Sequence, residues 1–276
     1  MLALYRLVCR WPLALLHGVG ALLGWLTWLA SPTYRRRFAE HAALAGYRFA
    51  QVRPAVAHAG RMALETPRLW FGPPVPMQWD GADVADAAYA AGKGVIFLTP
   101  HLGCFEITAQ GLAARYRAAY GPITVLYRPA RQPALARVVE SARQREGLET
   151  APTTLAGVRQ MMRALRAGRA VGLLPDQVPP EGMGQWAPFF GRDAYTMPLA
   201  ARLALQTGAT PLLVWGERLP AGRGYCLHFR ALSEPLAADL PQAVVQINRE
   251  MERLIRECPQ QYLWGYGRYK TPRVEP

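Results

Sequence analysis

Two kinds of apolar pattern alternate along this chain. Short continuous runs, "GVIFLT" (94–99), "ITVLYR" (123–128), "AVGLLP" (170–175) and "TPLLVWGER" (210–218), have the length and bulk of buried strands. "GYCLHFR" (224–230) alternates apolar and polar residues and reads as a further strand. Between them lie segments of helical period: 104–116, 133–146, 153–168 with Gly168 as its stop, 198–208 and 241–258. Upstream, Ser31-Pro32 predicts a helix start with serine as N-cap and proline in the first turn, the helix running to about Phe49. A second helix is expected from about Pro54 to Trp70, ended by "FGPPVP". Strands alternating with helices predict an α/β fold: a central, mostly parallel sheet with helices on both faces. No internal repeat is evident, and no linker marks a second globular domain.

The N-terminus breaks this rhythm. From Trp11 to Tyr34 there is no charged residue, while Arg6 and Arg10 precede the stretch and Arg35, Arg36 and Arg37 come after it. About twenty apolar residues suffice to cross a bilayer core as a helix. Trp25 and Trp28 suit an interfacial belt. A cleaved signal peptide fits less well, because the run is long and lacks a clean small-residue cleavage site. A buried helix is the other reading, since Pro12, His17 and three glycines dilute the run. The expectation is a hydrophobic membrane anchor over residues 1–35, spanning or deeply embedded, ahead of a body over 36–276. The denser arginine cluster lies C-terminal to the run, so the body is expected on the cytoplasmic side.

Composition narrows the partners. The chain has 276 residues, 32 basic against 19 acidic, for a net charge of +13. Lys93 and Lys270 are its only lysines, so the excess is arginine. Guanidinium forks suit phosphates and carboxylates, and an arginine-rich codon bias gives the same count without function. Nucleic acid, anionic lipid and an acidic carrier protein are all compatible with the charge. Cys9, Cys104, Cys226 and Cys258 are far apart, which gives no support to a zinc site or a C-x-x-C redox motif.

Open α/β sheets gather their sites at the carboxyl ends of strands. Three polar clusters fall there: "PHLGCFE" (100–106), "YRPARQP" (127–133) and "PDQVPPEGMG" (175–184). His101 and Glu106 are five residues apart, too far around a regular helix to meet. With His101 in a loop, Gly103 providing backbone freedom and Glu106 in a first helical turn, contact becomes possible. The acid would then hold one imidazole nitrogen and leave the other to accept a proton. A helix-capping histidine beside an acid that favours a helix N-terminus is the plainer alternative. Cys104 could be a nucleophile with His101 as base, or simply a buried residue. Arg128 ends its strand and needs an anion, either Asp176 or a substrate. "AGKG" (91–94) fails as a phosphate loop, with no Ser or Thr after Lys93 and a strand where a helix is required.

Taken together, "HLGCFE" (101–106), "YRP" (127–129), "LLPDQ" (173–177), "PFFGRDAYT" (188–196) and "QYLWGYGRYK" (261–270), in that order, resemble the late acyltransferases of lipid A biosynthesis, the lauroyl and myristoyl transferases. These belong to the wider lysophospholipid acyltransferase class, marked by a histidine, four residues and an acid. The sequence departs from the family pattern at Gln132, where many members carry asparagine, and at Tyr266 and Gly267. The resemblance implies a glycerol-3-phosphate acyltransferase-like fold and an inner-membrane enzyme. It implies an acyl carrier protein thioester as donor and a hydroxyl of a lipid A precursor as acceptor. A lysophospholipid or other glycolipid is the alternative acceptor. It gives His101 the role of general base, oriented by Glu106, in direct transfer without an acyl-enzyme. Arg128, Arg143, Asp176 and Gln177 become substrate-binding or oxyanion candidates. No metal, cofactor or nucleic-acid partner is implied, and acyl length would depend on the depth of an apolar groove.

Overall fold

A computed structural model describes residues 2–127 and 146–274. The helix expected over 133–146 falls, but for its last residue, outside the described residues, as do Arg128 and Gln132 before it. The N-terminal part is helical: α1 (Leu2–Val8), α2 (Leu13–Ala30), α3 (Pro32–Leu44), α4 (Phe49–Val52) and α5 (Pro54–Phe71). The body continues β1 (Met77–Asp80), α6 (Ala82–Ala90), β2 (Val95–Leu98), α7 (Phe105–Tyr120), β3 (Ile123–Tyr127), β4 (Leu148–Pro152), α8 (Leu155–Arg166) and β5 (Ala170–Leu173). Then come β6 (Gln185–Phe189), β7 (Arg192–Thr196), α9 (Leu199–Thr207), β8 (Thr210–Arg218), β9 (Tyr225–Ala231) and α10 (Leu240–Glu257).

Seven strands form one sheet in the order β1-β9-β8-β2-β5-β3-β4. Every neighbouring pair is parallel except β8 and β9, which are antiparallel. The fold is therefore the α/β arrangement that the alternating runs predict. Both faces are covered because successive side chains of the central strands point to opposite sides. Ile96, Leu98, Val171, Leu173 and Leu213 join one core cluster with residues of α8, α9 and α10. Val95, Phe97, Ala170, Leu212 and Val214 join the other with residues of α6 and α7. The sequence does not announce β1, β4, α6 or the β6–β7 hairpin. The hairpin turns through Phe190 and Gly191, at φ 47° and 75°, the left-handed pair that suits a two-residue connection.

Ser31 caps α3 as expected, its hydroxyl accepting from the Tyr34 amide at 3.2 Å. The helix stops at Leu44 rather than near Phe49. Gly46 adopts φ 86°, and the amides of Gly46 and Tyr47 return to Ala43 and Ala42. This is a Schellman closure: the left-handed glycine turns the chain out of the helix and satisfies its last carbonyls.

Among the described residues α2 is the one helix long and apolar enough to cross a membrane. Its inner face lies along α5. A Cβ on Gly24 would fall 2.2 Å from the Val56 carbonyl, so only glycine permits this approach. The outer face exposes Leu15, Leu22, Leu26 and Leu29.

Candidate active site

The centre is built by two neighbouring parallel strands that end alike. β2 runs into Leu98-Thr99-Pro100-His101 and β5 into Leu173-Leu174-Pro175-Asp176. Leu98 is in register with Leu173, so His101 and Asp176 leave the sheet at the same level. The Asp176 carboxylate takes two hydrogen bonds from one residue: the His101 amide donates to Oδ2 at 2.9 Å, and Nδ1 lies 2.9 Å from Oδ1. Asp176 is fully buried and His101 is 9% exposed. Burial pushes the Asp176 carboxyl up, but the imidazole's charge and its two hydrogen bonds outweigh this and hold it below the usual range. An ionised carboxylate only accepts, so Nδ1 donates in this bond, and in the neutral imidazole Nε2 is the nitrogen with the free lone pair.

The imidazole is clamped on its other sides. Tyr266 stacks on it with centroids 4.9 Å apart and planes 18° from parallel, and Phe105 meets it edge-on at 5.1 Å. The Tyr266 hydroxyl accepts from the Val178 amide, two residues past Asp176. The His101 carbonyl accepts from the Leu263 amide. Gly103 has φ 57°, and a Cβ there would sit 2.0 Å from the Gly216 carbonyl. Glycine is thus required for the loop to pass β8 closely and start α7.

Glu106 occupies the first turn of α7, as the sequence suggests, but the expected hydrogen bond to His101 is not found among the described residues. Its Oε2 accepts from the Trp70 indole at 3.1 Å, and the residue lines a cavity of about 300 Å3. Gln177 and Thr99 also line this cavity, whose remaining wall is largely apolar. The sequence suggests Asp176 or a substrate as the anion for Arg128, which lies outside the described residues; the Asp176 carboxylate accepts from the His101 amide and pairs with Nδ1.

Beneath the loop lies a buried charge cluster. Glu65 of α5 accepts from Arg218 at 2.6 Å and from the Tyr225 hydroxyl at 2.9 Å, and meets His17 Nε2 at 3.0 Å. This ties α2 to the sheet through an ion pair, which the sequence gives no means to foresee. Cys104 lies above it, 1% exposed. Burial, then the Glu65 charge, pushes its thiol well above the ordinary value, the opposite of an activated nucleophile.

Of the candidates, His101, Glu106, Asp176 and Gln177 gather around the ends of β2 and β5, while Arg128 and Arg143 lie outside the described residues. The His101–Asp176 pairing is the relation that sequence reasoning misses, although its signal is present. "LTPH" and "LLPD" end two apolar runs, and adjacent parallel strands bring such ends level.

The comparisons with known proteins agree. Residues 43–271 match the family described as bacterial lipid A biosynthesis acyltransferase. The chain is 29% identical over 220 residues to the lipid A biosynthesis palmitoleoyltransferase of Escherichia coli (strain K12), covering 78% of this chain and 70% of that one. It is 26% identical over 219 residues to the lipid A biosynthesis lauroyltransferase of the same organism, covering 77% and 69%. A lipid A biosynthesis acyltransferase of Haemophilus influenzae is 24% identical over 184 residues, 67% of this chain and 56% of that protein. The chain belongs to the bacterial lipid A biosynthesis acyltransferase family.

Proposed function

We propose that this family member moves a fatty acyl chain from an acyl carrier protein thioester to a hydroxyl of a lipid A precursor, with His101 as general base. The supporting observation is the His101–Asp176 pair beside an apolar cavity. Nδ1 donates to Asp176, so Nε2 takes the acceptor's hydroxyl proton as the oxygen attacks the thioester carbon. Asp176 offsets the charge of the imidazolium that forms. The tetrahedral oxyanion collapses, the C–S bond breaks, and the imidazolium returns its proton to the leaving thiolate. The hydroxyl attacks the thioester directly, so no acyl-enzyme is formed and the Cys104 thiol is not used. Glu106 and Gln177 act from the cavity side, on the substrates, while Arg128 and Arg143 supply cationic contacts to the oxyanion or to lipid phosphates. The exposed leucines of α2 hold the enzyme at the inner membrane with its body on the cytoplasmic face. The positive charge suits both an acidic carrier and an anionic lipid.

The test is mass spectrometry of the products formed by purified protein from acyl carrier protein or coenzyme A thioesters, with a lipid A precursor or a lysophospholipid as acceptor. Acylated lipid A precursor from the carrier thioester is the expected product. Exclusive acylation of the lysophospholipid would overturn the assignment.

A further inference from the structure

The bond to Asp176 fixes only one edge of the His101 ring. Nδ1 is held at 2.9 Å, but the plane of the ring, and with it the direction in which Nε2 points, still turns about the Cβ–Cγ bond. Tyr266 lies flat against that plane, with centroids 4.9 Å apart and planes 18° from parallel, an offset stack. The tyrosine is itself held from both sides. Two residues before it, Trp264 is 1% exposed and its indole donates to the Pro259 carbonyl at 2.8 Å. Two residues after it, Arg268 is 1% exposed, and its guanidinium donates to the Tyr195 carbonyl at 2.8 Å and to the Thr196 hydroxyl at 2.6 Å. Between these anchors the Tyr266 hydroxyl accepts from the Val178 amide at 3.2 Å, on the loop that carries Asp176. The Leu263 amide donates to the His101 carbonyl at 3.0 Å. One short segment thus holds the histidine's backbone, its ring and the loop of its acid.

The stack also has a chemical consequence. The face of a tyrosine is electron-rich and attracts a cation within about 6 Å of its centroid. The neutral imidazole gains little from this; the imidazolium that forms as the acceptor's proton leaves gains more. An interaction that strengthens as the charge develops lowers the barrier rather than tightening substrate binding. The same ring draws the Lys270 ammonium at 5.2 Å. Lys270 is exposed, so water and salt screen the repulsion between it and the imidazolium.

We propose that Tyr266 is a positioning residue for the general base: its ring sets the plane of the His101 imidazole and stabilises the imidazolium as it forms. The inference rests on the acyl-transfer reading above, in which His101 takes the acceptor's proton.

The test is steady-state acyl transfer by variants at position 266, each compared with wild type by its melting curve. Tyr266→Leu should lower kcat about tenfold, with KM near wild type. Tyr266→Phe should recover most of that loss. Trifluorophenylalanine at the same position, alike in shape but with its face drained of electron density, should be slower than Tyr266→Phe. In a His101→Ala background, Tyr266→Leu should cost nothing further, because the residue it acts through is gone. A folded Tyr266→Leu protein with kcat near wild type overturns the inference. An equal fractional loss in both backgrounds, the mark of a merely structural role, overturns it too. If Tyr266→Leu does not fold, equal kcat for the phenylalanine and its trifluoro analogue overturns it instead. His101→Ala alone at a rate near wild type would sink the assignment of His101 as base. A slow His101→Ala protein beside an unaffected Tyr266→Leu would spare that assignment and sink this inference.

Discussion

Replacing Asp176 with asparagine isolates the contribution of one charge. The side chains are isosteric and the site is fully buried, so packing is retained. In the native site the carboxylate accepts from both the His101 amide and Nδ1. An asparagine can accept from the backbone amide only with its oxygen, which leaves its NH2 facing Nδ1. Nδ1 must then be the acceptor and the proton moves to Nε2, the nitrogen required as base. The imidazolium also loses its counter-charge. The analogous change in a Ser-His-Asp hydrolase lowers kcat by about 10⁴, equivalent to about 5 kcal/mol of transition-state stabilisation. A loss of this order is expected here, in kcat, with KM little changed because the substrates do not touch Asp176. The assay is steady-state acyl transfer, with thermal melting as the fold control. A folded Asp176→Asn protein with kcat close to wild type would refute the assignment of Asp176 as the orienting acid.

Cys104→Ala should leave kcat near wild type, and a collapse of activity in a folded variant would restore the thiol to the mechanism. Glu65→Ala strands Arg218 in the interior and should cost about 3–5 kcal/mol of stability in chemical denaturation; a loss well below this would show that α2 and the sheet do not depend on the ion pair. Acid should unfold the protein from a high pH onset. Burial, then the charges of Arg218 and Arg61, lowers His58 from 6.5 to about 3. The unfolded chain therefore binds a proton that the folded one refuses, and stability is full above pH 6.5 and falls below it, by roughly 2 kcal/mol at pH 5. Glu65 adds a second loss in the same direction: burial raises its pKa, but Arg218 and His17 prevail and lower it from 4.5 to about 2. Denaturation midpoints that stay flat from pH 7 to pH 4 would contradict this, as would the same slope in His58→Gln.

The buried strands are legible in the sequence because their apolar runs are continuous and end in proline or a charge, as in Val95–Leu98 and Thr210–Arg218. The edge strands Met77–Asp80 and Leu148–Pro152 are not, because short polar segments acquire strand geometry from a partner rather than from their own pattern. The end of α3 depends on one left-handed glycine inside an apparently helical run. At the site, His101 is visible from its place after a strand. Its partner is not, because the nearest acid in sequence, Glu106, competes with one 75 residues away that only strand register brings level. The apolar N-terminus is readable as a hydrophobic helix; its buried face, fixed by Glu65 and Gly60 on α5, depends on contacts that no local pattern encodes.

The claim that most needs measurement is that His101 takes the acceptor's proton. The measurement is the rate of acyl transfer from acyl carrier protein thioester to lipid A precursor by purified His101→Ala protein, with its melting curve compared with wild type. A folded variant slowed by about a thousandfold or more is the result predicted for loss of a general base held by a buried acid. A folded variant that transfers the chain at a rate near wild type would contradict it.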